Sequence, residues 1–153
     1  HARASGLDIT HIFLTHTHRD HIMDLDRVQL AFPAATVHVG EREPVPGALP
    51  VRHGDTFKVG GLSVGARLTW GHAEGGITYV VDGLASPVAI VGDAIFAGSM
   101  GGGMVSYADA LRTNREEILT LPDETVLCPG HGPLTTVGEE KLHNPFFLGL
   151  GKT

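Results

Sequence analysis

A chain of 153 residues is long enough for one domain with a sizeable core. Eleven Lys and Arg against seventeen Asp and Glu leave a net charge of −6, which argues against a nucleic-acid surface, since that needs basic patches. Hydrophobic residues make up 42%, with no apolar run near the roughly 18 residues a membrane helix takes, so a globular protein with no membrane partner is expected. Cys128 is the single cysteine; it cannot form an internal disulfide and suits a reducing, cytoplasmic setting. Ten histidines are the compositional anomaly.

Ile9-Thr10-His11-Ile12-Phe13-Leu14 is β-branched and apolar and reads as a buried strand. It runs into Thr15-His16-Thr17-His18-Arg19-Asp20-His21. At a strand's end the alternation of side chains sends His16 and His18 to the same side, so two imidazoles can converge on one ion. Asp20 and His21 fall in the turn entering the next helix, within reach of a second ion. Neutral imidazole and carboxylate are the ligand types that zinc and iron prefer.

Ile22, Leu25, Val28 and Phe32 recur at helical spacing, so residues 21–32 are expected to form one amphipathic helix, stopped by Pro33. Thr36-Val37-His38-Val39 is a short strand, and His38 inside it is not expected to reach the site. Glu41 to Pro50, with three prolines, reads as a loop or a broken helix. Thr56–Val59 and Leu62–Thr69 flank Gly60-Gly61 as a hairpin. The second strand ends in Trp70-Gly71-His72, which presents another histidine just beyond a strand.

Ile77–Val81 and Pro87–Val91 read as consecutive strands around a turn at Asp82-Gly83. The latter is apolar throughout, as a strand covered on both faces would be, and ends in Gly92-Asp93. A carboxylate at the mouth of a buried strand is expensive unless paired or bound to metal. Ala97 to Gly103 holds four glycines and reads as a loop. Ser106-Tyr107-Ala108-Asp109 is an N-cap for a helix whose apolar face is Ala108, Leu111, Ile118 and Leu119, ended by Pro122. Thr125–Cys128 is a last strand, with Cys128 a small core residue, and it runs into Pro129-Gly130-His131-Gly132-Pro133. No repeat or linker divides the chain. A single α/β domain over residues 1–153 is expected, its strands feeding ligand loops along one edge with about three helices outside.

The strand-end candidates are therefore His16, His18, Asp20, His21, His72, Asp93 and His131. With His16-x-His18-x-Asp20-His21 first, then Gly71-His72, Gly92-Asp93 and Gly130-His131-Gly132, the chain resembles the metallo-β-lactamase superfamily from about Ile9 to Phe147. That resemblance implies an αββα sandwich. Gly92 to Ser99, Pro129 to Thr136, and Glu140 followed by Asn144-Pro145-Phe146-Phe147 look most like the glyoxalase II (hydroxyacylglutathione hydrolase) branch. By resemblance, His16, His18 and His72 would hold one ion, Asp20, His21 and His131 a second, and Asp93 would bridge them.

Three terminal ligands per ion and a shared carboxylate leave open coordination, as a catalytic site requires. Two ions about 3.5–4 Å apart can hold a hydroxide ionised at neutral pH, the nucleophile expected here for a thioester or other activated ester, with Asp20 and Asp93 the carboxylates at the reacting centre. Mixed His/Asp sets accept zinc, iron or manganese, with zinc the first expectation. An iron-dependent persulfide dioxygenase shares the first motif but uses fewer ligands around one iron, so His21 and His131 favour hydrolysis.

The chain departs from that branch in two places. Gly101-Gly102-Gly103 stands where the branch carries a basic residue for the glutathione moiety, leaving Tyr107 just beyond as the candidate substrate contact. Only 15 residues precede His16, where the family has opening strands of one sheet. The expectations that follow are a missing N-terminal segment or a second chain covering the sheet edge at Ile9, Ile12 and Leu14, and, as an alternative to turnover, a truncated domain that binds metal alone.

Overall fold

The computed structural model describes residues 1–148, so the last five residues of the expected domain lie outside the described residues. In chain order the strands are β1 (His11–Phe13), β2 (Thr36–Gly40), β3 (Leu49–Val51), β4 (Thr56–Val59), β5 (Leu62–Leu68), β6 (Ile77–Asp82), β7 (Val88–Gly92), β8 (Ile95–Phe96), β9 (Ser99–Met100), β10 (Val126–Pro129) and β11 (Thr135–Thr136). The helices are α1 (Arg19–Ile22), α2 (Leu25–Ala31), α3 (Tyr107–Thr113) and α4 (Val137–His143). A parallel sheet β1-β2-β3 faces a six-stranded sheet ordered β11-β10-β7-β6-β5-β4, and β8 and β9 form a separate ribbon.

Register fixes which side chains share a face. Val80 lies opposite Ala89, and Ala89 opposite Leu127; these pack with Ala110, Ile118, Leu119 and Val137 from the α3 and α4 region. On the other face Ala66 lies opposite Tyr79 and Val64 opposite Val81, and they meet Val51 and Phe13 from the parallel sheet. Leu14, Val37 and Val39 pack with Ile22 and Leu25 of α1 and α2 on the parallel sheet's outer side. The layers are therefore helix, sheet, sheet, helix, as expected. Among the described residues no helix is long and apolar enough to cross a membrane.

Several local expectations are corrected. The helix expected over 21–32 is two short helices broken at Met23-Asp24. Ile22 and Leu25 are packed, but Val28 is 38% exposed, so the apolar spacing overstates the buried face. Leu49–Val51 is a strand despite Pro50; it lies at a sheet edge, where a missing N–H costs no ladder bond. The loop expected over 97–103 contributes β9.

Helix α3 widens at residues 114–118, where the Leu119 N–H donates to the Asn114 carbonyl five residues back. Asn114 is buried, and its Nδ2 donates to the carbonyls of Ala110 and Ala94, so Ala110 and Ile118, not Ala108, define the inner face.

Strand β7 is not covered on both faces. Ile90, opposite Tyr79 and Cys128, is 38% exposed, because the three-stranded sheet reaches only the β4 to β6 side of that face. Cys128 is half-buried there, not a core residue. Strand β1 is the other sheet's edge, with Ile9 and Ile12 half-buried, whereas Leu14, expected uncovered, is buried under the α1 and α2 layer.

Candidate metal centre

The ends of β1, β5, β7 and β10 each deliver part of one cluster. The turn after β1 brings His16 and His18, and the first turn of α1 brings Asp20 and His21. The segments after β5, β7 and β10 bring His72, Asp93 and His131. Two backbone bonds hold these loops together: the Ile77 N–H donates to the Thr15 carbonyl at 2.8 Å, and the Gly130 N–H to the Gly92 carbonyl at 2.9 Å. All seven residues expected from the sequence meet here. Their donor atoms form three overlapping groups, each within 4.8 Å: His16, His18 and His72; His16, His21 and Asp93; and Asp20, His21 and His131.

Asp93 lies centrally. Its Oδ1 is 3.3 Å from His21 Nε2, and its Oδ2 is 3.6 Å from both His72 Nε2 and His131 Nε2 and 4.0 Å from His16 Nε2. His131 Nε2 is 3.0 Å from Asp20 Oδ2. Asp93 and His16 are buried, while the side chains of Asp20 and His131 are more than half exposed, so the cluster runs from the core to solvent.

Hydrogen bonds choose the nitrogen each ring offers. His72 Nδ1 sits 2.8 Å from the Gly102 carbonyl, which can only accept, so Nδ1 carries the hydrogen and Nε2 presents a lone pair. That lone pair faces His18 Nδ1 at 3.0 Å. His16 Nδ1 meets the Thr15 hydroxyl at 3.1 Å, leaving Nε2 toward the cluster. Burial and the neighbouring charges of His21, His18 and His72 lower the His16 pKa to about 3, so its ring stays neutral, the form that ligates. Burial pushes the Asp20 carboxyl up, but a backbone hydrogen bond and the neighbouring His21 and His131 outweigh it and hold it below the usual range.

The residues fit divalent ions. His16 Nε2, His21 Nε2 and Asp93 Oδ1 are buried without any hydrogen-bond partner, an arrangement that is costly in a core unless a ligand satisfies it. A Cβ on Gly130 would fall 2.3 Å from Asp93 Oδ1 and 2.6 Å from His21 Cε1, so glycine there keeps the centre open.

The sequence did not show how the supporting residues act. Gly101 and Gly102 are backbone neighbours of the cluster: a Cβ on Gly101 would lie 1.7 Å from the Asp93 carbonyl oxygen, so no basic side chain fits at that position. Asn114 fixes the carbonyl of Ala94, next to Asp93. Buried Glu140 accepts from the Gly98 N–H at 3.0 Å, the Thr135 hydroxyl at 2.6 Å and Asn144 Nδ2 at 2.7 Å, bracing the turn after β8. The glycine run was the one signal that a close approach was present; Glu140 stood out only by its resemblance to one family branch, and a buried Asn on a helix carries no signal. Tyr107 is 54% exposed at the start of α3, with its backbone against Gly103. His38 lies between the sheets, stacked on His11 and Phe13. His53 sits beside Glu117, and His143 beside Glu139. None of these four histidines belongs to the three groups.

A family model described as the Metallo-beta-lactamase superfamily matches residues 2–131. A probable metallo-hydrolase of Streptococcus pyogenes is 32% identical over 89% of this chain and 69% of its own length. The hydroxyacylglutathione hydrolase of Salmonella arizonae is 34% identical over 78% of this chain but 47% of its own, so the match spans about half of that enzyme. The crystal structure of ETHE1 from Myxococcus xanthus superposes with a TM-score of 0.83 at 31% identity, covering 94% of this chain and 64% of that one.

Proposed function

Because the chain belongs to the metallo-beta-lactamase superfamily, we propose that it is a metal-dependent hydrolase that uses two divalent ions to cleave a thioester or related ester. One observation carries the reading: seven donors from four strand ends converge with three buried donor atoms left unpartnered. His16, His18 and His72 would hold one ion and Asp20, His21 and His131 the other, with Asp93 between them. When bound, such ions polarise an acyl carbonyl and acidify water at neutral pH.

The chain's own residues do the positioning. Gly102 sets the His72 tautomer, and Asn114 and Glu140 hold the backbone on either side of β8. Asp20, on the solvent side, keeps its carboxylate beside His131. Tyr107 is the substrate contact in this reading, an exposed residue whose backbone lies against the glycine loop. The similarity to hydroxyacylglutathione hydrolase supports an acyl thioester as the substrate class. Zinc is the first expectation, with iron and manganese compatible with the same donors, and a reducing compartment suits the free Cys128.

The test is metal analysis of the purified chain together with a panel of acyl thioesters, esters and lactones. Two equivalents of metal and hydrolysis of a thioester are expected. Fully loaded protein that cleaves none of the panel would overturn the hydrolase reading.

A further inference from the structure

The turn between β2 and β3 touches both loops that carry the three-histidine group. Glu43 Oε2 accepts the Thr17 N–H at 2.8 Å. Thr17 stands between His16 and His18, so this bond fixes the peptide that separates two candidate ligands. On its other side the same turn packs onto the loop carrying His72: a Cβ on Gly75 would lie 3.0 Å from Glu43 Cγ and 3.1 Å from the Glu43 nitrogen. The neighbouring Arg42 guanidinium lies 5.6 Å from the Trp70 ring centroid, two residues before His72. The turn is itself closed by the Glu43 N–H donating to the Gly40 carbonyl at 2.9 Å.

We propose that Glu43 is a positioning residue of the metal centre, a carboxylate clamp that holds the His16-Thr17-His18 backbone against the His72 loop so that three imidazoles point at one ion. This rests on the two-metal function proposed above. A carboxylate is well suited to such a clamp, because in accepting a backbone N–H it makes a short, strong, charge-assisted bond. The loop it grips lies beyond the end of β1, where no ladder bond fixes Thr17. Groups that orient ligands without touching the ion typically change metal affinity by about 10- to 100-fold when removed.

The experiment is cobalt(II) titration of the metal-free full chain, read by its visible ligand-field spectrum and by calorimetry, for wild type, Glu43→Ala and Glu43→Gln. Glu43→Ala is expected to weaken one of two binding events by about 10- to 100-fold and to change that ion's spectrum, with the other event within a few-fold. Glu43→Gln, whose amide oxygen still accepts the Thr17 N–H, should restore most of the affinity. In the metal-free protein, the Thr17 amide should exchange with solvent faster in Glu43→Ala than in wild type.

If Glu43→Ala keeps the wild-type fold by circular dichroism and also its titration curve and Thr17 exchange rate, the clamp is overturned while the two-metal function stands. Wild-type chain that takes up no cobalt overturns that function and the clamp's role with it.

Discussion

The Tyr79 hydroxyl donates to the main-chain carbonyl of Leu14 across the two facing sheets, at 2.9 Å. Tyr79 is almost fully buried and Leu14 is two residues ahead of His16, so one bond anchors the strand that delivers the deepest histidine. Burial pushes the phenol's pKa up, keeping it a neutral donor. Tyr79→Phe leaves the Leu14 carbonyl without that partner and should cost about 1–3 kcal/mol. Urea unfolding of the two proteins checks this; equal midpoints and slopes would show that the bond carries no net stability.

The centrality of Asp93 separates it from the other donors. Asp93→Ala should weaken both metal-binding events together, whereas His72→Ala should weaken mainly one and His131→Ala mainly the other. Alanine at His11, His53 or His143 should leave metal content unchanged. Calorimetric titration distinguishes the cases, and two tightly held ions in Asp93→Ala would mean that the carboxylate does not bridge.

Gly101 has no room for a side chain. With a Cβ placed 1.7 Å from the Asp93 carbonyl oxygen and 3.0 Å from His72 Nδ1, Gly101→Ala must move backbone at the centre. A loss of about 1–3 kcal/mol is expected from the overpacking, together with weaker metal binding. The neighbouring Gly102 is exposed, and a Cβ there would meet only Met104 Cγ, at an ordinary contact distance of 3.8 Å, so Gly102→Ala is the control and should be mild. Similar thermal melts for wild type and Gly101→Ala would show that the loop yields freely.

His38 makes the protein acid-sensitive away from the centre. Burial lowers its pKa, and the nearby His11 lowers it further; the ring stacks on His11 at 5.3 Å and Phe13 at 4.9 Å, with Nε2 unpartnered. Because the folded value lies below the unfolded one of about 6.5, the unfolded chain binds the extra proton first. His38's contribution to stability is therefore full above about pH 6.5 and is lost as the pH falls from there toward the folded value. The melting temperature of wild type should drop more between pH 7.5 and 5.5 than that of His38→Phe. Parallel curves for the two proteins would remove His38 as the cause.

The candidate ligand positions were legible in the sequence because each is a local event: His16, His18, Asp20 and His21 form one compact motif after a strand, His72, Asp93 and His131 each follow a glycine just beyond a strand, and in that order they resemble one family. What holds them was not. The contacts of Asn114 with Ala94, of Glu140 with Gly98 and of Glu43 with Thr17 join residues 20 or more positions apart, and no periodicity records such pairings. Periodicity misled where burial is one-sided. Ile90 looks like a doubly covered strand residue, and Val28 looks like part of one packed helical face with Ile22 and Leu25, because apolar identity reports what a position tolerates and not what stands over it. Pro50 pointed away from a strand because the sheet edge that accommodates it is a tertiary fact.

Asp20 and His131 are 111 residues apart in the chain and 3.0 Å apart in space. A growing polypeptide cannot close that contact until the segment carrying His131 has been synthesised, and closing so long a loop carries an entropic cost that local structure does not repay. On the proposed two-metal reading, an ion held by both residues would bind the closed fold in preference to its precursors and so stabilise it by mass action. Metal supply would then govern how long each newly made molecule survives proteases, and starvation for the ion would lower the amount of protein as well as its turnover.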